Sequence, residues 1–271
     1  MRKILLFIIA SVLLPAVSVC QNDLGKMKLS GNVKRVKEIS IETQDFGDDI
    51  TCHLFAIFDE NGNKTLDVNY NAMGQIVKNN QYQYDSLGNL VKSTHYNPDG
   101  SLYSYFTFAY KDNVLVEKNI TYYKDGAPMR YCFRYDQKGN LLEEIDYDAY
   151  GKLFKGWQYS YNSRDQVTEE RFYLPYGCLY DKVKFEYDFA GNLIKKLFYD
   201  MEGVLYREEH FTYDQHGYLV QESKIRYRGY KLNTETFSYQ YQFDDKGNWI
   251  NKMVNMNNIH SHTVVREIEY Y

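Results

Sequence analysis

The sequence is poor in proline and cysteine, with 4 of each among 271 residues, and it has no excess of basic charge. Lys and Arg total 32 against 36 Asp and Glu, so nucleic acid is not expected as a partner. A hydrophobic fraction of 44% and a charged fraction of 25% exclude the collagen-like and charge-driven disordered classes. The composition therefore predicts an ordinary folded protein.

Cysteine usage gives little support for a disulfide framework. Apart from Cys20, the chain has Cys52, Cys132 and Cys178, an odd number at long separations. None stands in a C-x-x-C pair or beside a His at metal-ligand spacing, so small buried hydrophobic residues are expected. We expect no metal and no cofactor.

The first residues have the order of a secretory signal peptide. Arg2 and Lys3 precede the apolar run 4–14, which is too short to cross a bilayer as a helix, and small residues follow it. Residues 1–20 are therefore predicted to be a signal peptide, and residues 21–271 a single domain. The alternative is a lipoprotein signal ending at Cys20, although Val19 stands where Gly, Ala or Ser is usual. We expect a secreted or periplasmic protein with no transmembrane segment, or alternatively an outer-membrane lipoprotein anchored by lipid at Cys20.

The abundant residue is tyrosine, with 29 copies, and much of it lies in an internal repeat. The phrase Tyr-Asp-x-x-Gly-Asn-Leu occurs at 84–90, 135–141 and 187–193. A sister phrase, Tyr-Asn-Pro-Asp-Gly-Ser-Leu at 96–102, has relatives starting at Tyr147, Tyr173 and Tyr199. The glycines mostly alternate at spacings of 12 and 14, which gives a double unit of 26 residues.

Each phrase predicts a β-hairpin. A residue such as Asn97 or Asp85 accepts backbone N–H bonds at the start of a turn, and the Gly supplies a positive φ at its end. The segments between turns are strand-length and rich in Tyr, Phe, Val, Ile and Thr. We predict an all-β antiparallel meander of about 18 strands in a single sheet, which rolls or spirals onto itself because an open sheet of that width would curl.

Even spacing suggests how the faces are arranged. Leu90 and Tyr96 are six residues apart, and Leu102 and Tyr110 are eight apart, so regular alternation would put all of them on one face. We expect this Leu and Tyr face to lie inside, and the last strand, 263–271, to be an edge of the sheet.

The YDxxGNL phrases resemble the YD repeats of Rhs-type bacterial proteins, and the phrases between them resemble MORN-like repeat variants. The resemblance covers roughly residues 31–271. It implies a repetitive β architecture, and the chain is most similar to the small exported YD-repeat proteins, which are often called sugar-binding or cell-wall-associated. The 26-residue unit departs from the usual period of a little over 20 residues.

No catalytic signature is present, since the chain has no GxSxG, HExxH, P-loop, GxGxxG or C-x-x-C motif. The recurrent turn carboxylates are explained by their hydrogen bonds to the turn backbone. The six His are scattered. We therefore expect a protein that is not an enzyme.

The candidate site is a row of aromatic residues expected on the outer face. The positions five before and three after each turn Gly should pair outside the hairpin turns, as Phe172 with Tyr180. The ligand-binding residues predicted in this way are Tyr103, Phe154, Phe172, Tyr180, Phe198 and Tyr206. Because aromatic rings stack on sugars and on apolar partners, the row would bind a polysaccharide or an envelope protein. The alternatives are cross-strand pairing without a ligand, and burial of the row by curling, by the N-terminal segment or by another subunit.

The repeats, the leader and the aromatic row are compatible with two functions. The first is a non-catalytic exported binding module for glycan or cell-envelope polymer. The second is a structural or protein–protein interaction scaffold, including a toxin-immunity-type partner.

Overall fold

A computed structural model describes residues 23–44, 47–71, 73–112, 114–122, 129–228 and 231–271. The predicted signal segment, residues 1–20, lies outside them. A one-turn helix, α1 (Asp23–Lys26), precedes the sheet, and a short 3₁₀ turn follows at Pro175–Gly177. The strands are β1 (Val33–Gln44), β2 (Gly47–Phe58), β3 (Lys64–Tyr70), β4 (Ile76–Tyr84), β5 (Leu90–Tyr96), β6 (Leu102–Lys111), β7 (Val114–Tyr122), β8 (Met129–Tyr135), β9 (Leu141–Tyr147), β10 (Leu153–Tyr161), β11 (Val167–Leu174), β12 (Cys178–Tyr187), β13 (Leu193–Asp200), β14 (Leu205–Tyr213), β15 (Leu219–Arg228), β16 (Lys231–Phe243), β17 (Trp249–Met256) and β18 (Ile259–Tyr270).

The 18 strands form one antiparallel sheet in which each strand pairs with the next, and β18 pairs with β1. The predicted all-β meander is confirmed, and the sheet closes into a ring. The expectation that the last strand is an edge was wrong, because β18 pairs with β1 from Tyr270↔Val33 to Thr263↔Ile41. Across this seam the Arg266 guanidinium lies 2.8 Å from the Glu38 carboxylate.

The closed sheet has an inner and an outer face, and the strand register assigns residues to them. One face carries nearly all buried residues of the strand centres, so it is the inner one; Val68 is an exception on the outer face. The register connects the buried inner residues around the ring: Val36, Ala56, Asp67, Asn80, Ser93, Ser104, Ile120, Asp146, Tyr159, Val183, Phe198, Val254 and Val264.

A ring of this size encloses a lumen. Eighteen strands spaced about 4.8 Å apart give a perimeter of about 86 Å, so an untilted ring would be about 27 Å across. In a circular ring of this width, side chains from opposite walls would not meet, and we call the space that the inner face encloses the lumen.

The expectation of a single Leu and Tyr face was wrong, because a β-bulge follows the turn in nearly every hairpin. Tyr96 pairs with Leu102 as expected, but His95 pairs with Ser104, which leaves Tyr103 as an extra residue. The extra residue reverses the alternation between the two ends of a strand. Tyr110 consequently lies on the inner face at one end of the sheet, whereas Tyr96 lies on the outer face at the other.

We call the end of the sheet that carries the turns after β2, β4, β8, β10, β12, β14 and β16 end A. The opposite end, with the turns after β3, β5, β9, β11, β13 and β17, is end B. At end A six of the repeated Tyr residues donate their hydroxyls to the first carbonyl of the preceding odd-numbered strand. Tyr161 donates to Leu141 O at 2.7 Å, and Tyr187 donates to Val167 O at 2.8 Å. Neighbouring hairpins are thus joined at end A by tyrosine hydroxyls. The same bond recurs for Tyr84, Tyr110, Tyr213 and Tyr241.

The N-terminal segment, residues 23–30, lies across end A. Asp23 accepts bonds from Lys64 N and Tyr84 Oη, and Ser30 N donates to Asn248 Oδ1 at 2.7 Å on the far side of the β18–β1 seam. Burial opposes ionisation of Asp23, but these hydrogen bonds lower its pKa below the ordinary value. The apolar core of the molecule forms beneath this segment, from Leu24, Leu29, Val33, Val36, Ala56 and Phe58.

Candidate functional site

The six aromatic residues predicted as a binding row lie on the inner face, toward end B. The prediction of an outer row was wrong for the same reason as the Leu and Tyr face: Phe172 pairs with Asp181, and Tyr180 is the extra residue of the bulge. The rings of Phe172 and Tyr180 still meet, edge to face, with centroids 5.6 Å apart. The row is therefore part of the lining of the lumen.

Five of the six, together with one residue that was not predicted from the sequence, form what we call the aromatic arc: Phe154, Trp157, Phe172, Tyr180, Phe198 and Tyr206, on β10 to β14. Trp157 packs against Phe172 with centroids 5.0 Å apart, and Phe198 packs against Tyr206 at 6.3 Å. Trp157 could have been found from the register, because it lies directly opposite Phe172. The sixth predicted residue, Tyr103, lies apart from the arc on β6 and packs edge to face on Tyr122.

The rings differ in how accessible they are. Tyr103, Phe154 and Tyr180 are 53%, 46% and 47% exposed, whereas Phe198 is 9% exposed. Phe172 and Tyr206 are half-buried. Rings that face a lumen and stay half exposed offer area to a ligand, so Tyr103, Phe154 and Tyr180 carry most of the binding potential of the row.

Cations lie over several rings of the inner face, including Phe154, whose centre is 5.7 Å from the Lys155 ammonium. The Arg207 guanidinium lies 3.6 Å from the centre of Phe198, and the Lys155 ammonium lies 4.7 Å from the centre of Trp157. Lys118 lies 4.1 Å from the centre of Tyr131. These contacts satisfy the cations by cation–π attraction and occupy ring faces that a ligand would otherwise use.

Four carboxylates, none of them predicted from the sequence, accompany the arc on the inner face: Glu144, Asp146, Glu170 and Asp181. Burial, and then the neighbouring charge of Glu144, raise the pKa of Asp146 to about 6. Burial, and then Asp181, raise the pKa of Glu170 to about 7. The pKa values of Glu144 and Asp181 are raised as well, first by burial. Only Asp181 needs the bulge to share the face of the aromatic row. Glu170 lies two residues from Phe172 in β11, and Glu144 lies two residues from Asp146 in β9, so regular alternation places each of these pairs on one face.

The rim of end B also carries exposed apolar side chains. Its turns vary in sequence, and the residue before the turn Gly is Met73, Tyr150 or Tyr176 in three of them. The exposed apolar residues of the rim include Met73, Tyr150, Tyr176, Met201, Val204 and Ile259. They border the mouth of the lumen next to the aromatic arc.

Two further observations concern metals and membranes. The described residues contain no group of three or more His, Cys, Asp or Glu side chains that could hold a metal ion. Among these residues, no helix has the length and apolar character needed to cross a bilayer.

No family model matches the chain, and no curated protein matches it. Among solved structures, it is similar to a porin-like protein from Bacteroides uniformis ATCC 8492, with 14% identity and a TM-score of 0.46 over 89% of this chain and 98% of that one. It is also similar to TcdB2-TccC3, with 12% identity and a TM-score of 0.38 over 82% of this chain and 15% of that one. It is similar to TcdB2-TccC3-Cdc42 as well, with 11% identity and a TM-score of 0.32 over 83% of this chain and 14% of that one. Similarities this low assign no activity.

Proposed function

We propose that this protein is an exported, non-catalytic binding module that holds a glycan or another cell-envelope polymer against the inner face near end B. The observation that supports it is the row of half-exposed rings, Tyr103, Phe154 and Tyr180, which line a lumen instead of packing in a core. We also propose, from the repeated YDxxGNL phrase, that the chain is one of the small exported YD-repeat proteins. Export to the periplasm or cell surface follows from the order of residues 1–20.

An extended polymer suits this geometry better than a small ligand. The rings lie on successive strands, so a chain that crosses the strands would meet several of them in turn. Each single stacking contact is weak, on the order of 1 kcal/mol, and several contacts are needed for useful affinity.

The test is polysaccharide-retardation electrophoresis and a glycan array on Tyr180→Ala/Tyr206→Ala. We expect the double variant to lose about tenfold or more in affinity, because two stacking contacts are removed. The matched control is Tyr173→Ala/Tyr199→Ala, which removes two rings from the outer face near the same end. The control should bind like the wild-type protein. The proposal fails if no glycan binds, or if both double variants bind equally well.

The second candidate is a protein–protein interaction scaffold, including a toxin-immunity-type partner, and the apolar rim of end B favours it. Exposed Met and Tyr side chains at loop tips are typical of protein interfaces. Substitution of Met73, Tyr150 and Tyr176 by Ser would separate the candidates. Glycan binding should survive these changes if the lumen is the site, whereas a protein partner that docks on the rim would be lost.

A further inference from the structure

The four carboxylates of the inner face alternate with the rings of the aromatic arc. Glu144 lies opposite Trp157, and Asp181 lies opposite Phe172, in the strand register. Glu170 lies opposite Tyr159 on one side and Val183 on the other. A ligand that rests on the arc would therefore meet carboxylates on both sides of the rings.

These carboxylates differ from those elsewhere on the inner face. Glu38 is paired with Arg266 at 2.8 Å, Glu222 with Lys224 at 3.1 Å, and Glu235 with Arg226 at 3.2 Å. By contrast, within the described part of the chain, the carboxylates of Glu144, Glu170 and Asp181 have no hydrogen bond and no ion pair. Half-buried carboxylates without a direct hydrogen bond or ion pair destabilise the fold, and a ligand that donates to them would relieve this destabilisation.

Asp146 supplies a second and independent sign of a ligand. It is 1% exposed, and neither carboxylate oxygen has a hydrogen-bond donor. Its one charged partner is Lys155, whose ammonium lies 3.5 Å from Oδ2 and also over the ring of Trp157. The other cation nearby, Lys118, lies over Tyr131. Two more cations lie near the cluster, since the charge of Lys196 opposes the rise in the pKa of Glu170 and the charge of Arg207 opposes that of Asp181. All four cations also lie over aromatic rings, and only Asp146 among the four carboxylates has a direct ion pair with a described residue.

We propose that the carboxylates of Glu144, Glu170 and Asp181, with Asp146 behind them, bind the protonated amines of an amino-sugar polymer whose sugar rings stack on the aromatic arc. This inference rests on the proposed glycan binding and specifies its ligand class. A protonated amine brings three hydrogen-bond donors and a positive charge at contact distance, and Glu144, Glu170 and Asp181 have neither among the described residues.

The experiment compares glucosamine and N-acetylglucosamine oligosaccharides of equal length by isothermal titration calorimetry at pH 7, because a lower pH would protonate Glu170 and Asp146, whose pKa values are about 7 and about 6. Wild-type protein should bind the glucosamine oligomer about tenfold or more tightly than the acetylated one, as hydrogen bonds to charged groups predict. Glu170→Gln/Asp181→Asn should reduce this ratio to near one and leave the affinity for the acetylated oligomer unchanged. The amides keep the shape of the side chains and remove the repulsion between them, so the variant should fold.

The matched control is Glu60→Gln/Glu186→Gln, which removes the same charge from two exposed positions outside the cluster. It should keep the wild-type preference. Equal affinity of wild-type protein for the two oligomers, or a preference that survives in Glu170→Gln/Asp181→Asn, would overturn the amine site while leaving glycan binding intact. Failure of wild-type protein to bind either oligomer would overturn the amine site, and loss of all signal on the glycan array would overturn the proposed function too.

Discussion

The two ends of the closed sheet are built from the same type of hairpin, but their turns differ in sequence and in surroundings. At end A most turns repeat the order Asp-x-x-Gly-Asn, and most of their Asn side chains are buried: Asn140 Nδ2 donates to Asp136 and to Asp165 of the neighbouring turn. At end B the turns vary more in sequence, and apolar side chains are exposed at turn tips of both ends: Met73, Tyr150 and Tyr176 at end B, and Leu87 and Phe189 at end A. The repeat is thus regular where turns contact one another and irregular where they border the mouth of the lumen.

This contrast between the ends divides the tyrosines by role. A Tyr at end A, such as Tyr187, points inward and donates to a neighbouring strand, so it stabilises the ring. A Tyr at the corresponding position of end B, such as Tyr173, points outward, and the extra residue of the bulge next to it, Tyr180, enters the lumen. End A is expected to carry stability, and end B to carry binding.

The test with the largest expected effect truncates one apolar side chain at each end of the sheet. Phe58 is 1% exposed beneath the N-terminal segment at end A, and Phe58→Ala should lower the free energy of unfolding by about 3–5 kcal/mol. Tyr180→Ala, at end B, should cost less than about 1 kcal/mol because nearly half of the side chain is already exposed. Urea unfolding followed by circular dichroism measures both. Similar losses in the two variants would contradict the division.

The second test uses pH, because the two ends respond to it in opposite directions. The end A turn carboxylates Asp85, Asp136 and Asp188 have lowered pKa values, caused by hydrogen bonds from the Asn that follows each turn Gly. Their stabilisation is present above the ordinary Asp pKa and is lost as the pH falls below it. Glu170 and Asp146, toward end B, have raised pKa values of about 7 and about 6.

A raised carboxyl pKa means that the folded state binds a proton more tightly than the unfolded state does. Stability should therefore rise as the pH falls from 8 to about 5, by on the order of 1–3 kcal/mol, and then fall below about pH 4 as the end A turns are protonated. Chemical denaturation at a series of pH values measures this curve. Glu170→Gln/Asp146→Asn should flatten the rise between pH 8 and 5 and keep the loss below pH 4. An unchanged rise in that variant would show that other groups cause it.

Much of the fold could be predicted from the sequence because the turns are local. The Gly and Asp or Asn residues set the strand ends, and the predicted strand from Leu90 to Tyr96 coincides with β5. Closure of the ring was less accessible, since it depends on pairing of β18 with β1, and the partners Tyr270 and Val33 are far apart in the chain. The alternating spacing carried no sign that this pairing occurs.

The faces could not be predicted, because a β-bulge adds one residue without a change in composition. Tyr103, Phe154, Tyr180 and Tyr206 were chosen for their position after the turn Gly, and they do share a face. Regular alternation placed that face outside, and the bulge places it inside. Asp181 was missed for the same reason, since only the bulge puts it on the face of Tyr180. Glu170 lies two residues from Phe172 and shares its face by regular alternation, so its signal was already present in the sequence.

The test with the smallest expected effect removes one tyrosine hydroxyl at each end of the sheet and compares the two changes in stability. Tyr187→Phe removes the hydroxyl that donates to Val167 O at 2.8 Å and leaves a half-buried carbonyl without this partner, so it should cost about 1 kcal/mol. Tyr173→Phe removes an outer-face hydroxyl that has no hydrogen-bond partner in the described residues, and it should change stability by less than about 0.3 kcal/mol. Both substitutions keep the ring, so the difference between the two midpoints of urea unfolding isolates the hydroxyl. If the two variants unfold at the same urea concentration, the tyrosine hydroxyls do not join the hairpins of end A, and the abundance of tyrosine would have to be explained by ring packing alone.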